Sequence, residues 1–149
     1  MSSAPPFHTS TRWRTCLVQP GESVGNVGQL AVDLLIATCG GMRLVGYLES
    51  PFVQPVAGLD AFRSDGTLHL ALELYEDAER GLFVLQQRAP TLRGCAAQFA
   101  AQLADWLHSS GFSEVISSAT PFSMLLCELG AGRRWRMDGQ NKHHVQPLA

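Results

Sequence analysis

The 149-residue chain carries little net charge, with 11 Lys and Arg set against 13 Asp and Glu for a formal balance of −2 at pH 7. So weak a field supplies no general attraction to nucleic acid or to an anionic membrane, and neither is expected as a partner. Long apolar runs are missing too. No segment reaches the roughly 20 apolar residues of a spanning helix. Residues 1–10 are polar and proline-containing, unlike the apolar core of a secretory signal. Cysteine is sparse: Cys16, Cys39, Cys95 and Cys127 are far apart, lie in apolar patterns and form no Cys-x-x-Cys pair. The expectation is four reduced, buried thiols in an intracellular protein. Internal repeats are absent beyond two Arg-Trp-Arg triplets.

What is present is a globular composition, 46% hydrophobic, in a chain of single-domain length. Folding at that size buries roughly two-thirds of the unfolded surface. Residues 1–12 read as a loose leader, 13–129 as one α/β domain, and 130–149 as a polar, basic, disordered tail without apolar periodicity.

Within the domain, residues 13–20 read as a strand and residues 27–38 as a helix. The inward stripe of that helix is assigned to Leu30, Ala31, Leu34, Leu35 and Thr38 by their i, i+3, i+4 spacing. Asn26 is the expected N-cap, and Gly40-Gly41 the left-handed C-cap. Residues 42–48 give a second strand, so a parallel strand-helix-strand unit is expected. Residues 50–66, rich in Pro, Gly and Asp, form an exposed connection. Its Phe52 and Phe62 either face a partner or tuck back onto the sheet. Residues 67–75 alternate as one strand with a single apolar face, and pair with residues 82–87 as a hairpin. A second helix opens at Pro90-Thr91, buries Leu92, Cys95, Ala96, Phe99, Leu103, Trp106 and Leu107, and closes at Gly111. A strand over 112–116 and a short helix over 121–129 complete the reading.

The turn between the first strand and first helix holds the sharpest chemical signal. Gly21-Glu22-Ser23-Val24-Gly25 matches Gly-x-Ser-x-Gly in the strand-turn-helix setting of a nucleophile elbow. A hydrolase would also need an acid and a histidine. Asp60, Asp65, Asp77, His69, His108, His143 and His144 are present, but none has a convincing setting, and little chain precedes Ser23 to furnish a second oxyanion donor. Phosphate binding at the same helix N-terminus is the other chemical reading, yet the spacing of Gly21, Gly25 and Gly28 fits neither a dinucleotide fingerprint nor a P-loop. The structural reading is that Gly25 and Gly28 permit close strand-helix packing while Ser23 or Asn26 caps the helix. His143-His144 lacks companion ligands for a metal, and Arg133-Arg134-Trp135-Arg136 is a lone basic-aromatic cluster on an acidic chain.

The block Ser23-Val24-Gly25-Asn26-Val27-Gly28-Gln29-Leu30-Ala31-Val32-Asp33-Leu34 carries a family resemblance. Val45-Gly46-Tyr47, Pro55-Val56-Ala57-Gly58, Leu85-Gln86-Gln87-Arg88, Trp106, Ser109-Ser110-Gly111 and Thr120-Pro121-Phe122 extend it. Together they resemble the N-terminal half of the eukaryotic proteasome assembly chaperone 2 family, over about residues 15–126. The resemblance implies a three-layer α/β/α fold, similar to phosphorylases and hydrolases but without their chemistry, here truncated at its C-terminal side. It implies no catalytic residue, no cofactor and no metal. Ser23, Gly25, Asn26, Gly28 and Gln29 then form a structural family turn. The implied partners are proteasome assembly chaperone 1 and the proteasome α subunits, in the cytoplasm and nucleus. Some family members dock through a C-terminal hydrophobic-Tyr-x tail, which the closing residues Val145-Gln146-Pro147-Leu148-Ala149 do not match.

Overall fold

A computed structural model describes residues 15–19, 26–59, 66–118 and 135–138. Strands β5 (Leu72–Asp77) and β6 (Leu82–Gln87) pair antiparallel, with Leu74 opposite Leu85 and Tyr75 opposite Val84. Gly81 closes their turn at φ 63°, a conformation that costs glycine little because it has no Cβ. β1 (Thr15–Gln19) lies parallel to both β6 and β7 (Glu114–Ser118), and β8 (Trp135–Asp138) runs parallel to β7. β2 (Arg43–Tyr47) pairs antiparallel with β5, with a bulge between Leu44 and Gly46. The six strands form one mixed sheet in the order β2-β5-β6-β1-β7-β8. A separate two-stranded sheet joins β3 (Ala57–Leu59) to β4 (Leu68–Leu70).

The pleat sends alternate side chains of β5 and β6 to opposite faces. Leu72, Leu74, Phe83 and Leu85 meet helix α2 (Ala96–Ser109) through Phe99, Ala100, Leu103, Ala104 and Leu107. Phe112, just past α2, sits edge-on to Phe83 at 5.3 Å and beside Trp106 at 5.6 Å. Tyr75 and Val84 point the other way and meet helix α1 (Val27–Thr38) through Val32, Leu35 and Ile36. Among the described residues, each face of the sheet therefore carries one helix.

Several expectations are corrected. β1 and β2 do run in the same direction, but β5 and β6 stand between them. The single strand expected over 67–75 breaks at Ala71, because β4 pairs with β3 while β5 enters the main sheet. Nor does β5 have only one buried face. Glu73 is fully buried as well, since α1 covers the side that alternation would leave polar. α2 opens at Ala96 rather than at Pro90-Thr91, for Gly94 at φ 79° is incompatible with a right-handed helix. Residues before it are held instead by a bridge between Thr91 and Val53 and by the Leu92 amide donating to the Phe52 carbonyl at 2.7 Å. Phe52 packs back against the core, and Phe62 lies outside the described residues. Gly40 and Gly41 are not left-handed. Gly41 is needed for closeness, because a Cβ there would lie 3.2 Å from the Asp77 carboxyl group. Cys39 and Cys95 are free thiols but only half-buried.

The largest correction concerns α1. Its inward residues are Val32, Leu35 and Ile36, whereas Leu30, Ala31 and Leu34 face outward. The helix is apolar nearly all round, so periodicity alone has two solutions. Its few polar residues break the tie. Gln29 and Asp33 find hydrogen-bond partners on β6 and just after it, and those bonds set the rotation.

The stretch 130–149, expected to be a disordered tail, contributes β8 at residues 135–138, pairing with β7 from Val115–Trp135 to Ser118–Asp138. Backbone pairing needs no apolar periodicity, which is why the pattern was silent. The expected helix over 121–129 lies outside the described residues. Deleting residues 130–149 should uncover the β7 edge and promote aggregation, measurable by light scattering. A deletion variant as soluble as the parent would show that β8 protects nothing.

Candidate functional site

Between α1 and the sheet lies a buried polar network built from three parts of the chain. Glu73 on β5 and Gln86 on β6 are register partners, so both project toward α1. Arg88 follows immediately after β6. Asp33 is the single charged residue of α1.

Glu73 is the hub. Its carboxylate accepts from Arg88 Nε at 2.6 Å, from the Tyr75 hydroxyl at 2.9 Å, from His69 Nδ1 at 2.9 Å and from the Leu70 amide at 3.0 Å. Arg88 reaches across with its other arm to Asp33 Oδ1, 3.0 Å away. Gln86 Nε2 donates to the same Asp33 oxygen and to the Gln29 carbonyl, both at 3.2 Å. Gln29 Nε2 in turn donates to the Gln87 carbonyl at 2.8 Å. Together these bonds clamp the first half of α1 onto the hairpin and tie β4 to β5.

Burial alone would raise the Glu73 pKa, but the Arg88 guanidinium, helped by His69 and the Leu70 amide, outweighs it and holds the carboxyl below its ordinary range. Burial, reinforced by the neighbouring Glu73 charge, pushes the Tyr75 phenol up to about 12. Burial disfavours charged Arg88, yet Glu73, Tyr75 and Asp33 keep it protonated. An ion pair buried without hydrogen bonds would be costly, and this one is saturated with them.

A pH dependence follows. With its folded pKa below the unfolded value of about 4.3, Glu73 contributes stability that is fully present above that value. The contribution is lost as the pH falls through the folded pKa. The melting midpoint, followed by circular dichroism, should drop on acidification below about pH 4. Glu73→Gln should flatten that limb relative to the parent. An equally steep acid limb in the variant would assign the loss to other carboxylates.

Ser23 and Gly25, with the rest of the Gly-x-Ser-x-Gly turn, lie outside the described residues, as do Asp60, Asp65, His143 and His144. Asn26 occupies the N-cap position but in left-handed geometry (φ 56°) with no side-chain capping bond, so its tolerance of positive φ is what suits it there. Gly28 and Gln29 fall in the first turn of α1, and Gln29 joins the network. His69 has an acid partner after all, Glu73, which was not among the acids weighed. Asp77 is instead committed to Arg80, accepting from its amide at 3.1 Å and pairing with its guanidinium. No group of three His, Cys, Asp or Glu residues suited to a metal occurs among the described residues. No helix among them is long and apolar enough to cross a membrane.

Glu73, Arg88, Asp33 and Gln86 were not named as site residues. A signal did exist for each: Asp33 is a lone charge in an apolar helix, Glu73 interrupts a leucine-rich strand, and Gln86 and Arg88 belong to a block quoted for the family resemblance.

Comparison with known proteins agrees with the fold. The PAC2 family model covers residues 17–125. Proteasome assembly chaperone 2 of Nematostella vectensis is 40% identical over 105 residues, 67% of this chain and 43% of that protein. The protein of the same name from Homo sapiens is 36% identical over 104 residues, 67% of this chain and 39% of that one. The chain thus spans about two-fifths of the length of these relatives. Among solved structures, Pyrococcus furiosus PbaA, an archaeal homolog of proteasome-assembly chaperone, aligns with a TM-score of 0.54 at 21% identity, covering 71% of this chain and 43% of that one. A Thermoplasma acidophilum protein of unknown function aligns with a TM-score of 0.59 at 20% identity, covering 72% and 45%. Residues of the network, Gln29, Asp33, Glu73, Gln86 and Arg88, all fall inside the matched segment, and the chain belongs to the PAC2 family.

Proposed function

We propose that this chain acts as a noncatalytic chaperone of 20S proteasome assembly, paired with proteasome assembly chaperone 1 and promoting formation of the α-subunit ring. The observation that carries the reading is its family membership, shared with relatives bearing the name proteasome assembly chaperone 2. Two physical features support it. The buried network spends its polar groups on one another, as a scaffold does, with Gln86 Oε1 the exception. The outward face of α1 is apolar, as a binding surface is. On this reading the turn holding Ser23, Gly25, Asn26, Gly28 and Gln29 is structural, in keeping with the bond from Gln29 to the β6 backbone. Residues 13–129 form the chaperone domain after a leader (1–12), with β8 of the stretch 130–149 joining its sheet. The fold is of the three-layer α/β/α class found in phosphorylases and hydrolases. That class is supported by the placement of one helix on each sheet face. The site of action is the cytoplasm and nucleus, without a cofactor.

Recombinant α subunits co-expressed with proteasome assembly chaperone 1, with and without this chain, test the proposal. Native gels should show more α ring when the chain is present, and no difference would count against it. The hydrogen bond between His69 and Glu73 favours a second reading, a small serine hydrolase or phosphorylase-like enzyme using Ser23. Labelling by a fluorophosphonate probe that disappears in Ser23→Ala would establish that reading, whereas the chaperone account expects no labelling.

A further inference from the structure

The two helices hold the sheet unequally. α2 buries Phe99, Ala100, Leu103, Ala104 and Leu107, whereas Val32 is the fully buried residue of α1, in a small cluster with Tyr75 and Val84. Leu35 and Ile36 are only partly covered, and Val27, Leu30 and Leu34 already face water. Apolar stabilisation follows the area removed from water, so α1 is the weaker attachment. Polar contacts make up part of the difference. Asp33 pairs with Arg88 and accepts from Gln86, and Gln29 donates to the Gln87 carbonyl.

Water can replace those contacts. Asp33 is 42% exposed, so its charge is readily solvated once it leaves Arg88. The donors to the fully buried Glu73 carboxylate come from β4, from β5 and from Arg88 just after β6. That charge therefore keeps its partners when α1 departs. Gln86 Oε1 finds no partner among the described residues while α1 is docked, and gains one from water on opening. The usual penalty for pulling apart a buried ionic network, an orphaned charge, does not arise.

We infer that α1 is a detachable strap, which lifts off the sheet as a unit, with Asp33 as its bolt, while β5, β6 and α2 stay folded. Sub-global opening of this kind involves elements with few buried apolar contacts. A free helix of 12 residues is marginal in water, so a lifted α1 also loses its internal hydrogen bonds. Opening bares Tyr75 and Val84, an apolar part of the sheet that the closed state hides.

This inference does not rest on the proteasome reading, and hydrogen exchange with mass spectrometry on the purified chain tests it. In low urea the amides of residues 31–38 should exchange at least about a hundredfold faster than those at the centre of α2. Their rates should also depend more weakly on urea, since less surface is exposed in the opening. Asp33→Ala should speed α1 exchange at least about tenfold, because it removes the bolt from the closed state alone. Val115→Ala trims the core on the α2 side, which the open and closed states share. It should speed α2 exchange about tenfold and leave α1 exchange unchanged. Equal rates and equal urea slopes for the two helices would overturn the inference. So would α1 exchange that rises in step with α2 in Val115→Ala, or an Asp33→Ala variant whose α1 exchanges as slowly as the parent's.

Discussion

Arg88→Ala is expected to destabilise the fold by about 3–5 kcal/mol, the usual cost of removing one partner from a buried ion pair. Glu73 would keep its burial and lose the guanidinium 2.6 Å away, while Asp33 would lose the cation that holds α1 to the sheet. Against a total stability of about 5–15 kcal/mol, such a loss removes a large part of the margin that keeps the chain folded. The double variant Glu73→Gln with Arg88→Met should recover a good part of it. A neutral amide still accepts from Tyr75 and the Leu70 amide, and the one carboxylate left without the guanidinium, Asp33, is 42% exposed to water. Urea denaturation of the parent, Glu73→Gln, Arg88→Met and the double variant closes the cycle. Additive effects of the two substitutions would mean that the residues do not act as a pair.

Leu103→Ala should cost about 2–5 kcal/mol, because it opens a cavity between α2 and the leucines of β5 and β6. Leu103 is 2% exposed among Leu72, Leu74, Phe83 and Leu85. Leu34→Ala, the same chemical change on α1, should cost under about 0.5 kcal/mol, as surface substitutions generally do. Leu34 is 56% exposed. Thermal melts of the two variants at a concentration below any self-association provide the comparison. Equal losses would mean that α1 packs through the stripe the periodicity first suggested, and that Leu34 is buried in solution.

That contrast marks where the sequence was readable. α2 was legible from Phe99 to Leu107, where polar residues occupy its exposed side, whereas Leu92 and Ala96, expected in the buried stripe, are exposed. The β5-β6 hairpin was legible from alternation and its charged turn. α1 was not, since leucines and valines surround it and the choice of inward face depends on Gln29 and Asp33 meeting residues about 55 positions away. β8 was not, because its pairing lies in the backbone. Gly94 made α2 start later than the apolar spacing implied, through its positive φ. The polar network was only half visible. Its members stood out as misplaced charges in apolar elements, but their convergence on Glu73 is a product of strand register and of the rotation of α1.

Affinity purification of the chain from cells, followed by mass spectrometry of what accompanies it, tests the central claim most directly. The account predicts proteasome α subunits together with proteasome assembly chaperone 1. Recovery should weaken for Arg88→Ala, which unsettles the fold, and remain at the parental level for Ser23→Ala. Purification of a well-folded chain that brings down no proteasome subunit and no partner chaperone would contradict the account.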